Sequence, residues 1–397
     1  MRILHVCDYL MPGLGYQEWM LPLWNAKRDN EVYVITSDRY APVPNYEESW
    51  GGFLGPRLQG TGREVRNGIT IIRLKSLAEW GTRPWIADLI STVREIKADV
   101  VLVHGSTSLT AFRVVLSRKK LGVPVFIDNH MVFSECRGGV SGAAFYWVLK
   151  GFNKVFQHRV EKYYGVAQEC VDVLLSREGI DPSRVKLLPL GVDTEIFFPM
   201  DDRLSLRKSL GIPQEAIVLL QTGKLTRVKG PDILAAAAFQ LMRENENIHL
   251  VFLGGMDEAI RAVISDIFSE NECRSRLHLF PFATTHELNR YFNTADVVVY
   301  PKGASLSALE AAATGTAVVM ADLPASQWRA NLGVGLTYPS GNVEALADCI
   351  SLLVNDEAYR SRISDNAIKA VRIYFTYNAV AAAFEEDCMR AMESFAK

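Results

Sequence analysis

Much of what usually betrays a function is missing from these 397 residues. Six cysteines (Cys7, Cys136, Cys170, Cys273, Cys349, Cys388) stand far apart and no two form a CxxC pair. That argues against a zinc site or a disulfide framework and leaves them as small apolar fillers in a reducing compartment. There is no DxD triplet and no His/Asp cluster at metal-ligand spacing, so neither a metal nor another cofactor is expected. No GxGxxG follows the first strand, which removes the dinucleotide fingerprint. No apolar run reaches the length of a membrane span, and the opening MRILHVCDYL is too short for a signal peptide; the expected location is the cytoplasm. Charge of one sign is lacking too, with 43 Lys+Arg against 45 Asp+Glu, and no nucleic-acid partner is expected. Neither an internal repeat nor a low-complexity tract is present.

What remains is long and globular. A hydrophobic fraction of 49% with 22% charge describes a folding chain, and its length suits two domains. Short β-branched runs recur with helical stretches in the intervals: RILHV, EVYVITS, ITIIRL, DVVLVH and VPVFIDN, then KLLPL, IVLLQTG, IHLVFLG, LHLFPF, DVVVYP and TAVVMA. This alternation predicts an α/β protein with parallel sheets covered on both faces. The Pro- and Gly-punctuated PLGVDTEIFFP marks the crossing from one domain to the other. Residues 1 to 190 hold 24 Lys+Arg against 19 Asp+Glu, and the remainder 19 against 26. A basic first half suits an anionic partner such as a phospholipid surface or a phosphate-bearing acceptor. Phe145 to Phe156, FYWVLKGFNKVF, reads either as an interfacial helix at the inner membrane surface or as a helix packed on the sheet. The Pro- and Gly-rich segment from Tyr40 to Gly68 is expected to be a long loop, either shaping an acceptor site or a plain surface excursion.

Ligands of open parallel sheets bind beyond the carboxyl ends of the strands. After the first strand, Gly13 and Gly15 precede a helix beginning near Tyr16, and such a turn lets a phosphate or sugar approach amide N–H groups. Tyr16, Glu18 and His104 are candidates for the acceptor side of that region. TGKLTRVKG follows IVLLQ and puts Lys224 and Lys229 on one loop, where two cations neutralise a diphosphate or are merely solvated. In YPKGASLSALEAAATG the loop leads into a helix whose first amides, at Leu306 and Ser307, are open to an anion. Glu310 lies one turn further on, among alanines, where the two hydroxyls of a ribose would be fitting partners. His130 closes the strand FIDNH and His104 the strand DVVLVH; each reads either as an imidazole that binds sugar hydroxyls and senses developing charge or as a satisfied framework histidine, the latter being the default for His104.

In order and spacing, PGLGYQE, the histidine of FIDNH, GVDTEIFFP, KLTRVKG and LSALEAAATGTAVV resemble the retaining glycosyltransferases of family 4, over nearly the whole chain. The resemblance implies the GT-B fold, two Rossmann-like domains facing a central cleft. An acceptor-side domain would span 1–188 and a nucleotide-sugar donor domain 189–376, with a last helix at about 377–397 packing back on the first. It implies that Lys224 and Lys229 contact the donor diphosphate, that Gly303 and the amides of Leu306 and Ser307 complete the cradle, and that Glu310 binds the ribose. His130 would touch the donor sugar near the reacting carbon, and Gly15 would offer an N–H to the phosphate. Three positions depart from the family: Lys302 stands where the first glutamate of a Glu-x7-Glu pair is usual, Lys224 where an arginine is usual, and Leu190 where an asparagine is usual.

The implied reaction moves a sugar from a UDP- or GDP-sugar to a glycan, lipid-linked or small-molecule hydroxyl in polysaccharide or glycoconjugate synthesis, with retention and without a metal. Two other readings share the architecture: a nucleotide-sugar 2-epimerase, and a non-catalytic nucleotide-sugar or glycan binding protein with Lys302 as the mark of lost chemistry.

Overall fold

The computed structural model describes residues 1–12, 15–43, 46–47, 51–269, 272–303 and 305–395. Gly13, part of the Tyr40–Gly68 segment, Ala304 and the last two residues of the chain lie outside the described residues. The chain divides into two compact units, Met1–Gly191 with Tyr377–Lys397, and Val192–Thr376.

In unit 1 the strands are β1 (Arg2–Val6), β2 (Glu31–Ser37), β3 (Gly62–Arg66), β4 (Ile69–Leu74), β5 (Ser76–Trp80), β6 (Arg83–Ile86), β7 (Val100–His104), β8 (Val125–Asn129), β9 (Lys162–Gly165) and β10 (Val185–Leu187). Eight of them form one sheet in the order β10-β9-β8-β7-β1-β2-β4-β3. All neighbours are parallel except β3, which runs antiparallel to β4. β7 and β8 are buried at every position, as befits central parallel strands covered on both faces. The segment expected to be a long loop therefore ends in a strand. All five residues of β3 are exposed; it is a charged edge with no apolar alternation for a sequence reading to find. β5 and β6 form a separate hairpin.

The helix Tyr377–Phe395 belongs with unit 1. Its Val380, Ala381, Phe384 and Cys388 share a core with Ile3, Leu102, Phe126 and Tyr164, and the Phe384 ring lies edge-on to Phe126 at 5.6 Å. Gly191 makes the approach possible, since a Cβ there would sit 2.6 Å from the Tyr377 ring.

Unit 2 holds β11 (Ile217–Thr222), β12 (Ile248–Leu253), β13 (Leu277–Phe280), β14 (Val297–Tyr300), β15 (Ala317–Ala321) and β16 (Leu336–Tyr338). They form one parallel sheet in the order β13-β12-β11-β14-β15-β16, with an apolar cluster on each face. The strand order thus reverses beside β1 in the first sheet, at β7, and beside β11 in the second, at β14. At such switch points the following loops part to opposite sides of the sheet and leave a crevice at the strands' carboxyl ends.

Candidate active site

The crevice of unit 2 opens where β11 and β14 end. There the Thr222 hydroxyl and the Tyr300 hydroxyl lie 3.2 Å apart. After β11 the chain makes a 3-10 turn at Arg227–Lys229, held by the Lys229 N–H donating to the Thr226 carbonyl at 2.8 Å and by buried Gln221, whose Nε2 donates to the Lys229 carbonyl at 3.0 Å. The turn is rigid at its backbone. The side chains of Lys224 and Lys229 are nonetheless exposed, and neither pairs with a carboxylate among the described residues.

After β14 come Lys302 and Gly303, the latter at φ +88°, and then the helix Leu306–Ala313. Ala308, Ala311 and Ala312 of that helix are fully buried; their small side chains let it lie close on the sheet. Ser305 at its N-cap makes no side-chain hydrogen bond to the first turn, so the amides of Leu306 and Ser307 have no side-chain cap and meet the positive end of the helix dipole. Burial pushes the Glu310 carboxyl up to about 7, with the Ser307 hydroxyl pulling the other way. The residue keeps partial exposure, so the carboxylate sits at the floor of an open site.

Lys302 is half-buried and tethered at its tip. Its Nζ donates to the Arg227 carbonyl at 3.2 Å, and its stem passes Gly230, where a Cβ would stand 3.1 Å from Lys302 Cγ. It ties the loop after β14 to the turn after β11. Arg329, missed in the sequence, backs the same loop: it is 8% exposed and its Nη1 donates to the Ser305 carbonyl at 2.7 Å. Burial holds its guanidinium down to about 10. Beside this crevice, at the ends of β12 and β13, a cavity of about 390 Å³ is lined by Leu225, Gly254, Gly255, Met256, Phe280 and Phe282 among others. Gly255 lies under the Phe282 ring, which a Cβ would meet at 2.5 Å.

In unit 1 the switch point holds a second pocket, of about 190 Å³, which brings Tyr16, Glu18 and His104 together with Cys7, Asp8 and Trp19. Gly15, at φ +66°, precedes it. Asp8 accepts a hydrogen bond from the Thr110 hydroxyl; burial nevertheless lifts its carboxyl to about 7.

His130 sits just past the end of β8, two residues after Asp128. Its Nε2 is 3.3 Å from Asp128 Oδ2. The same oxygen accepts from His104 Nδ1 at 2.6 Å. Burial would lower the pKa of His130, but the Asp128 carboxylate outweighs it and raises it to about 9. Asp128 in turn is held far below the ordinary carboxylate range, because the two imidazoles overcome the cost of its burial. His104, Asp128 and His130 bring their ligand atoms within 4.8 Å of one another, a spacing that the sequence, read for metal motifs, did not reveal. His104 is committed at both ring nitrogens, to Asp128 and to His5 at 3.1 Å; the cluster is built as a hydrogen-bonded group and not as a cation site.

Sequence reasoning thus named residues at the strand ends, buried His104 among them, and weighed Asp128 only as a cleft carboxylate, but it assigned nothing to Tyr300 and Arg329 in unit 2 or to His5 in unit 1. Asp128 carried a usable signal, for a carboxylate two residues before a histidine on a strand shares its face.

Residues 202–370 match the family of glycosyl transferases group 1, and residues 25–196 match Glycosyltransferase Family 4. The D-inositol 3-phosphate glycosyltransferase 1 of Catenulispora acidiphila is 30% identical over 285 residues, covering 68% of each chain. The D-inositol 3-phosphate glycosyltransferase of Kineococcus radiotolerans is 29% identical over 239 residues, 55% of each. For most of the curated relatives it matches, the chain spans about half their length. Among solved structures, Anabaena HepE in complex with UDP is similar with a TM-score of 0.71 over 98% of this chain and 100% of that one, at 15% identity, a likeness of fold. Together with the two parallel-sheet units, these matches show that the chain belongs to family 4 of the nucleotide-sugar-dependent glycosyltransferases and has their GT-B fold.

Proposed function

We propose that the chain transfers a hexose with retention from a UDP- or GDP-sugar to a hydroxyl of a glycan, lipid-linked or small-molecule acceptor. One observation carries this: the β11/β14 switch point gathers two lysines without carboxylate partners among the described residues, a helix N-terminus without a side-chain cap and the half-buried carboxyl of Glu310 on that helix. Unpaired cations and open amides are the complement of a diphosphate, and a carboxylate below them accepts from ribose hydroxyls. The apolar slot at Gly255 and Phe282 suits a flat base. The bond from the sugar carbon to the diphosphate oxygen breaks, the acceptor oxygen bonds to that carbon, and its proton passes to the departing diphosphate. Lys224, Lys229 and the helix amides lower the barrier by stabilising the leaving charge where it develops, so no metal is needed. Gly15 and Gly303 leave the backbone open to the donor, and His130, an imidazolium at neutral pH, binds the sugar.

The pocket of Tyr16, Glu18 and His104 is proposed for the acceptor. The curated relatives reported above are named for an inositol phosphate, yet the described lining residues include Asp8 and Glu18 and no lysine or arginine, with Arg83 acting on Asp8 from outside the lining, which favours the hydroxyls of a sugar or polyol over a phosphate. The helix Gly139–Phe156 buries Gly142, Tyr146, Leu149 and Asn153, while Val140, Trp147, Val148 and Val155 are exposed beside Lys150 and Lys154; that face supports peripheral membrane contact in the cytoplasm. A 2-epimerase is favoured by a single observation, the Asp8 carboxyl lifted to about 7, an acid poised near neutrality. Transfer or hydrolysis of the donor, as opposed to its epimer, separates the two readings.

Lys229→Ala and Glu310→Ala are expected to keep the fold and to lose transfer about a hundredfold or more, the usual effect of removing a group that stabilises a transition state. Excess EDTA leaves the wild-type rate unchanged. Wild-type rates in both variants would remove the donor site from unit 2, and a chelator-sensitive rate restored by magnesium would refute the metal-free mechanism.

Lys302→Glu restores the usual family residue. If Lys302 serves an acidic donor sugar with the donors its Arg227 bond leaves over, the substitution costs such a donor about 2–5 kcal/mol of transition-state stabilisation and a neutral donor much less. Equal losses on every donor, or none, would leave Lys302 as a loop tether alone.

The imidazolium of His130 sets a pH limit. Its pKa in the folded chain, about 9, lies above the ordinary 6.5, so the charged form and its share of stability are complete below about 6.5 and fade as pH rises through 9. Transfer should fall along the same limb. Asp128→Asn removes the anion and leaves burial to act, so the limb should move by about two pH units or more toward acid. An unmoved limb in kcat against pH, with His130 shown by NMR to titrate lower, would mean that its charge plays no part in transfer.

A further inference from the structure

β1 carries a histidine in the middle of an otherwise apolar strand. His5 is wholly buried, stacks on the His104 ring at 5.4 Å and begins a continuous line of polar contacts. Asp128 Oδ2 meets His104 Nδ1 at 2.6 Å, and His104 Nε2 meets His5 Nδ1 at 3.1 Å. His5 Nε2 meets Asn25 Oδ1 at 3.1 Å, and Asn25 Nδ2 meets Glu385 Oε1 at 2.8 Å. The line crosses unit 1 from the foot of His130 to the helix Tyr377–Phe395.

Four contacts need four protons. Two neutral imidazoles supply one each, and an amide, whichever way it is turned, gives one and takes one. Ionised carboxylates at the two ends supply none. The chain is one proton short, and buried polar groups this close are not left facing acceptor to acceptor.

The carboxylates are poor places for the missing proton. Glu385 accepts from Asn25, from Asn30 Nδ2 at 2.9 Å and from Arg28 Nε at 2.9 Å. Asp128 accepts from the Gly105 N–H at 3.1 Å and from His104, and faces His130. We propose that the buried His5–His104 pair holds this additional proton, mostly on His104 beside Asp128, and that the chain so charged tunes the histidine at its other end, His130. Desolvation, which holds the His5 pKa well below its ordinary value, agrees with the proton resting on His104. His5, His104, Asn25 and Glu385 are then positioning residues. They act through Asp128, whose single negative charge is divided over two cations, His104 and His130. Glu18 and Glu135 also face His130, and Arg28 closes the far end; Val34 and Leu102, the strand partners of His5, and Phe384, whose ring lies beside it, are apolar.

The inference rests on the proposed role of His130 only for its effect on transfer, so the test reads the protons first. In protein with 15N-labelled histidine, both ring nitrogens of His104 should carry protons at pH 7, with a far-downfield proton from the bond to Asp128. Glu385→Gln in an Asn30→Ala background is the decisive variant: Glu385 Oε1 also accepts from Asn30 Nδ2, and with that donor removed the new amide can turn an N–H to Asn25 and supply the fourth proton. Asn25 turns over, each imidazole needs only its own proton, and His104 becomes neutral. Freed of that competing cation, His130 should then titrate about one pH unit higher, and the alkaline limb of transfer should move with it. A wild-type His104 with one bare nitrogen would overturn the proposal without that variant. So would a His104 signal and a His130 titration that are the same in Asn30→Ala and in Asn30→Ala with Glu385→Gln. If the ring protons behave as stated but the limb of transfer stays put, the role of His130 in transfer fails and the chain stands.

Discussion

Everything with chemical character in this protein depends on where strand order reverses. Beside β1 and beside β11 the flanking strands are wound in opposite directions, and the loops leaving β1 and β7, or β11 and β14, part and expose helix N-termini at one edge of each sheet. Without that reversal, Lys302 and Arg227, 75 positions apart in sequence, would have no reason to meet. The Tyr300–Thr222 contact and the Lys302–Arg227 contact fix the crevice from below and from above.

The two units meet the cost of charge in different ways. Unit 2 leaves Lys224 and Lys229 in water, where an unpaired ammonium costs little, on a backbone turn that cannot stray; the positive field is ready before any ligand arrives. At its crevice, Glu310 and Arg329 have titrations displaced by burial instead of by pairing. The line from Asp128 to Glu385 in unit 1 does the reverse. Asp128 is held ionised by the imidazoles beside it, and buried Glu385 is met by three donors; a charge so satisfied is tolerable where an isolated one is not.

Sequence reading found the eleven apolar strands that lie in covered sheets, because continuous β-branched runs with helices in the intervals leave few alternatives. It did not find β3, β5, β6, β9 or β16. Β3 is exposed at every residue, β5 and β6 form a hairpin outside both sheets, and β16 has three residues; none has an apolar pattern that needs burial to explain it. At the site, residues that face a ligand were legible through type and position: lysines after a strand, small residues before a helix, a histidine at a strand end. The partners were not. Glu385 reads as one more helix carboxylate until the last helix is seen to lie against β1, and Asn25 as one more polar position near a helix end. The apparent misfit of Lys302 is resolved only by distance, since its partner is a backbone carbonyl that carries no sequence signal.

The central claim is that the crevice at β11 and β14 holds a nucleotide-sugar with Glu310 beneath its ribose, and it is tested most directly by the protons exchanged on binding. The diphosphate of a nucleotide-sugar does not titrate near neutrality, whereas burial holds Glu310 at about 7 in the free protein. Hydroxyls donating to it favour the ionised form. Titration calorimetry of a nucleotide-sugar at pH 7, repeated in buffers of different ionisation enthalpy, should show release of a fraction of a proton, and Glu310→Gln should abolish that release while binding persists more weakly. No release by the wild type, or the same release by the variant, would contradict the account.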